Sequence, residues 1–560
     1  MGHESKNIVI AGEAGQGLNT VGNILVKSSV RSGYAVVVTQ SYQSRIRGGH
    51  NTFAIRVGPE GVAAPQEAID LLVALDKPSI AIHQSELRTN TVVVSDAAFS
   101  TGQESRFLGV PFKELGPARS ANVIALGVVA SLVGLSQDVV SQAMEDFFGR
   151  KHPELAEQNR TVLDKSFAWA AGQAVAFEKL APVAQPRKRL MMNGNEAIAL
   201  GALSAGLQVY SFYPMTPSTS IANAVISHAG ATGVIVEQAE DEIAAINMAL
   251  GASFAGALSM VGTSGGGFAL MTEGVSLAGI TETPVVIAVS QRPAPATGLP
   301  TRTEQGDLEL VLYAGHGPFP RAIFAPGTVE ECFWLTRKAF DLAEASQGSV
   351  FVLTDQFLAD SYRAVEPFDV ARLPMVRVGA DESEVAVPYQ RYAVTPSGVS
   401  PRLIPGRTPH LVVADSDEHT EDGHLTEDLD ARVRQVDKRM RKLDVLRRAI
   451  VPPEHAGDDK PELLLVSWGS TKGAAAEAAA LLRAQGRRTG TLHFSQVWPL
   501  DSAQFLPMLE AAAEVICVEG NATGQWADLL RRETGFRASK RILRYDGLPI
   551  TPEYILRKIG

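Results

Sequence analysis

Thr216, Ser218 and Thr219 stand in the run Tyr-Pro-Met-Thr-Pro-Ser-Thr-Ser at residues 213–220, and three consecutive acids, Glu240, Asp241 and Glu242, follow downstream. Pro214 and Pro217 fix φ and remove N–H donors, so this loop is stiff as well as rich in hydroxyls. Such a loop suits a small polar ligand, and a neighbouring carboxylate adds an acceptor that can hold or move a proton. Further on, Gly262-Thr-Ser-Gly-Gly-Gly267 lets backbone approach a ligand closely at Gly265 and Gly266. Arg292 carries the guanidinium fork that grips carboxylates, and Arg302 is a second cation after it. Each feature also has a plain structural reading. The loop can be a strand-to-helix turn capped by Ser218 or Thr219. Glu242 can complement a helix N-terminus. The glycines can form a tight turn, and either arginine can make an ordinary salt bridge.

The elements that must position these groups read as strands and helices in alternation. Residues 209–212, 233–236, 258–262, 285–290 and 349–353 are apolar strand candidates. The loop therefore falls at the carboxyl end of a strand, where α/β sheets bind ligands. From Glu242 the chain reads Glu-Ile-Ala-Ala-Ile-Asn-Met-Ala-Leu-Gly, with Ala245, Ala249 and Gly251 small enough for close helix packing. Ahead of this lies a strand at 7–10, then Gly12-Glu-Ala-Gly15-Gln-Gly17 and a helical pattern over 18–31. Strand candidates at 35–39, 52–57, 71–74 and 91–95 complete the N-terminal region, and the alternation predicts a parallel, doubly wound sheet. The order Gly-x-x-Gly-x-Gly is not that of the dinucleotide fingerprint, although backbone N–H groups at a helix start suit an anion.

A chain of 560 residues exceeds one core. We read an α/β domain at 1–180, a linker at 181–189, a second α/β domain at 190–369, an extended wrapping segment at 370–454 and a third α/β domain at 455–560. The wrapping segment is rich in proline, glycine and charge. Its acids at 415–422 lack EF-hand spacing, which disfavours calcium. A net charge of −10 argues against nucleic acid as the main partner. No apolar stretch reaches bilayer length, and from the polar first residues we expect no signal peptide. Two cysteines, Cys332 and Cys517, form no Cys-x-x-Cys pair, so we expect a cytoplasmic location, no membrane association and no metal held by this chain.

With these residues on the page, the segment from Tyr213 to Asp307 resembles the α-chain pyrimidine-binding domain of 2-oxoacid:ferredoxin oxidoreductases, which are thiamine diphosphate enzymes. The resemblance extends over nearly the whole chain. Residues 1–180, with Gly12, Gly15, Gly17 and the run Arg45-Ile-Arg47-Gly48-Gly49, are similar to the γ subunit, here fused ahead of α. Residues from 455 on resemble the transketolase C-terminal-like domain.

This resemblance implies roles. Glu242 would hydrogen-bond the aminopyrimidine ring and promote the tautomer that removes the thiazolium C2 proton, with Glu240 the alternative if the register is off by two. Arg292 would hold the substrate carboxylate, Thr216 would hydrogen-bond the same substrate, and Arg302 would serve a distal carboxylate or a salt bridge. Gly265 and Gly266 would face the cofactor. Gly12, Gly15, Gly17 and Arg47 would bind coenzyme A phosphates or simply form a turn. The thiamine pyrophosphate motif, Gly-Asp-Gly followed downstream by Asn, and clustered cysteines do not occur in this sequence. In the family both lie on a β subunit. The expected enzyme is therefore an (αβ)2 heterotetramer, with thiamine diphosphate and Mg²⁺ shared with β and a [4Fe-4S] cluster on β. It would oxidise 2-oxoglutarate to succinyl-CoA and pass electrons to ferredoxin. Pyruvate or a branched-chain 2-oxoacid is the alternative substrate, and a non-catalytic assembly subunit the alternative class.

Overall fold

The computed structural model describes residues 5–42, 49–100, 106–148 and 153–560. They divide into two compact units. The first comprises Met1–Asn193, Asp360–Phe368 and Ile550–Gly560, the second Gly194–Ala359 and Asp369–Pro549. As the alternation of strands and helices implies, both are α/β.

In the first unit an eight-stranded sheet runs, from one edge, Phe107–Val110, Leu87–Asp96, Ile69–Ala74, Lys6–Glu13, His50–Gly58, Ala35–Ser41, Arg363–Val365 and Leu190–Met192. The central strand Lys6–Glu13 is buried along most of its length, as a strand covered on both faces must be. The sheet is not the parallel one expected. His50–Gly58 lies antiparallel to Lys6–Glu13 and to Ala35–Ser41. The connection from 42 to 49 is too short for the dozen or so residues of a parallel crossover, so these two strands form a hairpin. The C-terminal residues also belong to this unit, where Thr551 Oγ1 donates to Glu67 (2.9 Å) and Arg557 pairs with the same carboxylate.

The second unit holds two sheets. One, of seven strands, runs Gln496–Trp498, Ala322–Phe324, Ser349–Asp355, Val285–Gln291, Ser259–Thr263, Val209–Phe212 and Ile235–Gln238. It is parallel except for the Gln496–Trp498 edge. The other, of five strands, is built from residues 454–543. A single apolar core serves both, with Phe268, Val289 and Phe351 in the same cluster as Trp468, Phe494 and Trp526. Phe494 and Trp526 pack with ring centroids 4.6 Å apart.

Residues 370–428 carry only short turns before the helix Leu429–Arg448. Burial explains how so polar a segment is held. Lys438 and Lys442 on that helix reach the buried Glu282, and Arg402 pairs with Glu344 at 2.8 Å where neither is open to water. Within the acidic run at 415–422, Glu418 accepts from Arg439 (2.7 and 2.9 Å) and Arg432 (2.5 Å). Burial raises the Glu418 pKa, but these hydrogen bonds outweigh it and hold it at about 2. Arginine side chains neutralise Glu418, and among the described residues no group of three or more His, Cys, Asp or Glu could hold a metal ion. No described helix is long and apolar enough to cross a membrane.

Candidate active site

The site is assembled at the carboxyl ends of the parallel strands of the second unit. Val209–Phe212 leads into the proline-rich loop, in which the Thr216–Pro217 peptide is cis. Ser218 occupies the N-cap of the helix Thr219–Thr232, yet its hydroxyl donates backward to the Met215 carbonyl (2.7 Å) rather than capping. The buried Asn195 donates to the Pro217 carbonyl (2.9 Å) and to Ser220 Oγ (2.6 Å), which pins the loop. Among the described residues the Thr216 hydroxyl has no hydrogen-bond partner, whereas its carbonyl accepts from Arg292 Nη1 at 2.7 Å.

The strand Ile235–Gln238 delivers the three acids, and the structure separates them. Glu240 is exposed. Asp241 is the N-cap of the helix Glu242–Phe254, its carboxylate accepting from Ala244 N–H at 2.7 Å. Glu242 is 4% exposed, and its Oε1 has no hydrogen-bond partner. A buried carboxylate oxygen without a donor costs free energy, and stable folds retain such groups where a ligand completes them. Because Asp241 caps the helix, Glu242 is not needed for that task.

The glycine run explains its own composition. A Cβ on Gly267 would collide with Glu242 Oε1 and Thr263 Oγ1, and a Cβ on Gly265 would collide with the Asp307 carboxylate. Gly265 is thus occupied by a neighbouring side chain, whereas a Cβ on Gly266 would meet only the Ala296 carbonyl, 3.7 Å away.

Arg292 follows the buried strand Val285–Gln291 and is 8% exposed. Its Nε is buried without a partner. Burial lowers its pKa and the charge of Asp307 opposes that shift. Asp307 was not among the residues singled out from sequence. It is 7% exposed, its N–H donates to Gln291 Oε1 (2.9 Å), and its Oδ2 is unpartnered. Burial pushes its carboxyl up to about 6 against the pull of Arg292. The loop between Arg292 and Asp307 is clamped by Gln305. That side chain accepts from Gly520 N–H (2.8 Å) and donates to the Trp468 carbonyl (3.0 Å). Arg302 sits half-buried on this loop and forms no ion pair among the described residues.

A second feature lies wholly within the first unit. A cavity of about 680 Å³ is lined by Gly15, Gly17, Phe99, Phe112, Lys113 and Arg119 among others. Gly15 and Gly17 have φ of 97° and 84°, the left-handed region that favours glycine. Gly17 immediately precedes the helix Leu18–Arg31, whose first turn has no acidic residue. Gly12 does not line the cavity, because the Gln16 side chain lies where its Cβ would be. Arg45, Arg47 and Gly48 lie outside the described residues.

Residues 200–438 match the family model for pyruvate flavodoxin/ferredoxin oxidoreductase, thiamine diphosphate-binding, and residues 7–169 that for pyruvate ferredoxin/flavodoxin oxidoreductase. The alpha subunit of 2-oxoacid:ferredoxin oxidoreductase 2 from Aeropyrum pernix is 31% identical over 97% of this chain and 95% of its own length. The chain belongs to the 2-oxoacid:ferredoxin oxidoreductase alpha-subunit family. Another relative of this alpha subunit, the 2-oxoglutarate oxidoreductase subunit KorA of Mycobacterium tuberculosis, is 27% identical over 94% of the chain and 87% of its own length. A solved 2-oxoglutarate:ferredoxin oxidoreductase from Magnetococcus marinus, with 2-oxoglutarate, coenzyme A and succinyl-CoA bound, superposes with a TM-score of 0.93 at 30% identity over 99% of each chain.

Proposed function

We propose that this alpha subunit forms the aminopyrimidine wall of a thiamine diphosphate site, completed by a β subunit, in an enzyme that converts 2-oxoglutarate and coenzyme A to succinyl-CoA and carbon dioxide while reducing ferredoxin. One observation carries the reading: Glu242 is buried with an unpartnered oxygen against Gly267, where a ring nitrogen sharing its proton would supply the missing partner. The bound cofactor supplies the carbon nucleophile and the electron sink for decarboxylation. Glu242 holds the proton shared with the pyrimidine ring, and its burial keeps that proton from bulk water. Arg292, held by the Thr216 carbonyl, grips the substrate carboxylate, with the Thr216 hydroxyl as a further donor. Arg302 is the cation we assign to the distal carboxylate. We assign Gly265 and Gly266, which open the helix Gly265–Leu270, to the cofactor.

We assign Mg²⁺, the diphosphate contacts and the [4Fe-4S] cluster to the β subunit in an (αβ)2 assembly. Ile235, Ile243, Met248 and Leu270 are exposed on elements flanking Glu242, and we assign them to that interface. Both cysteines are buried and unpaired, in keeping with a reducing cytoplasm. The relative from Magnetococcus marinus supports 2-oxoglutarate over pyruvate or branched-chain substrates. A purely assembling subunit would leave the buried Glu242 oxygen unexplained.

The test is dye reduction by the chain assembled with its β subunit, thiamine diphosphate, Mg²⁺ and coenzyme A. We expect activity with 2-oxoglutarate well above that with pyruvate, and absence of 2-oxoglutarate-dependent reduction would defeat the substrate assignment. Arg292→Lys keeps the charge but loses the fork, so the 2-oxoglutarate KM should rise about tenfold or more. A KM within twofold of wild type would remove Arg292 from the carboxylate site.

We assign the cavity of the first unit, with Gly15, Gly17, Lys113 and Arg119, to coenzyme A. Its size is within the range of small-molecule sites, and it offers cations for phosphate and aromatic faces for a base. Gly12 shapes the turn, and Arg47 remains a candidate phosphate ligand by sequence. Arg119→Ala combined with Lys113→Ala should raise the coenzyme A KM about tenfold and leave the 2-oxoglutarate KM in place. An unchanged coenzyme A KM would send the cofactor elsewhere.

A further inference from the structure

Two buried carboxylates flank the glycines that open the helix Gly265–Leu270. Gly267 makes room for Glu242 and Gly265 makes room for Asp307, and each acid keeps an unpartnered oxygen, Oε1 and Oδ2 respectively. Only the first has a role in the reading above. Asp307 forms no direct ion pair with Arg292 among the described residues, yet each charge shifts the ionisation of the other. Arg292 keeps a buried Nε without a partner. Arginine and aspartate are thus an electrostatic pair with one unused donor and one unused acceptor, in a site built to receive an anion. The side chain of Asp307 does not cap the helix Leu308–Tyr313, so that structural task does not explain it.

Resting on the proposed function, we infer that Asp307 is a proton-coupled counter-ion of Arg292: a 2-oxoacid carboxylate that binds Arg292 does so with uptake of one proton from solvent onto Asp307, released when the site empties. In the free site the guanidinium has the aspartate as its compensating charge. A substrate carboxylate brings a second negative charge to the same cation, in low dielectric, and one of the two must give up its charge. The substrate carboxyl is the stronger acid, so the proton goes to Asp307. Among the charged groups facing Asp307, Arg292 favours its anion, the charge of Asp307 raises the half-buried Glu304 on the same loop, and Glu242 lies across the glycines that open the helix Gly265–Leu270.

The sign follows from linkage. A site that gains a proton on binding binds more weakly as pH rises above the free-site value, which lies near 6. Substrate affinity is therefore highest below that pH and falls through neutrality. Asparagine at position 307 keeps the shape, removes the titration and removes the competing charge.

The experiment is the KM for 2-oxoglutarate from pH 6 to 8 at saturating coenzyme A, in the assembled enzyme and in the Asp307→Asn variant. We expect the wild-type KM to rise by at least about tenfold across this window, toward the roughly fiftyfold that full one-proton coupling gives over two pH units above a free-site value near 6. The variant should hold its KM within about twofold and bind more tightly than wild type at pH 8. A variant profile parallel to that of wild type overturns the coupling. Absence of any 2-oxoacid oxidation by wild type counts instead against the proposed function. Proton uptake provides a second reading that needs no variant. Glutarate added as an unreactive dicarboxylate to the wild-type enzyme, weakly buffered at pH 7 with an indicator dye, should draw up to about one proton per occupied site, and binding without uptake overturns the inference.

Discussion

Replacement of Glu242 by Gln should abolish turnover while leaving the fold and the assembly intact. The expected loss is at least about 10²-fold in kcat, the scale on which a positioned proton-transfer group contributes. Gln is nearly isosteric and can still meet a ring nitrogen as a hydrogen-bond donor or acceptor, but it cannot hold the shared proton as a carboxylate does. Helix formation does not suffer, because Asp241 rather than Glu242 accepts the Ala244 N–H. Stability should even rise slightly, since the variant no longer buries an uncompensated carboxylate oxygen. Loss of activity together with an unchanged or higher denaturation midpoint is the combination a functional acid yields. A merely structural acid would show the reverse. Steady-state dye reduction and urea denaturation of the same preparation read both quantities.

The largest loss of stability should come from Glu282→Gln. Glu282 is fully buried at a φ of 50°, a backbone conformation uncommon for any residue but glycine. Its carboxylate lies 2.8 Å from Lys438 Nζ and 2.5 Å from Lys442 Nζ, and its carbonyl accepts from Arg391 Nη2 at 2.8 Å. The neutral amide leaves two buried ammonium groups facing each other without their shared anion. Breaking a buried ion pair from one side costs about 3–5 kcal/mol. Acid titration gives the same account a second check. Burial raises the Glu282 carboxyl, but Lys442, Lys438 and Arg391 outweigh burial and hold it at about 2. A carboxyl whose folded pKa lies below its unfolded one adds stability that is present above the unfolded value and lost as pH falls through the folded one. The wild-type chain should therefore lose stability between about pH 4.5 and 2, and Glu282→Gln should lack that part of the acid dependence. A denaturation midpoint unmoved by the substitution would mean that the helix Leu429–Arg448 is held by its apolar contacts alone.

These two residues differ in how much of their setting the local sequence carries. Glu242 is readable because its neighbours are local: small residues at Ala245, Ala249 and Gly251 give the helix its packing face, and the acid heads it. Arg292 is readable because an apolar strand runs straight into it. Glu282 is not, because the lysines that define it are more than 150 positions away, Lys438 by 156, and on their own helix they resemble any solvated charge pattern. Asp307 was hidden for the same reason. The features that reveal it are the steric demand at Gly265 and the Gln291 amide, and neither names Asp307 until the chain is folded. The hairpin of the first sheet was missed because strand spacing was read without counting the short connection between Ser41 and His50. The attachment of residues 550–560 to the first unit rests on Glu67, far away in sequence, and no local pattern signals it.

The claim at the centre is that this chain's contribution to catalysis is the carboxylate of Glu242 acting on thiamine diphosphate. Its most direct measurement is the exchange of the cofactor's C2 proton for deuterium in the assembled enzyme, followed by acid quench and NMR, in wild type and Glu242→Gln. We expect wild type to exchange at least about 10²-fold faster than free cofactor at the same pH, and the variant to fall back toward the free rate with the cofactor still bound. Exchange in the variant as fast as in wild type would contradict the account.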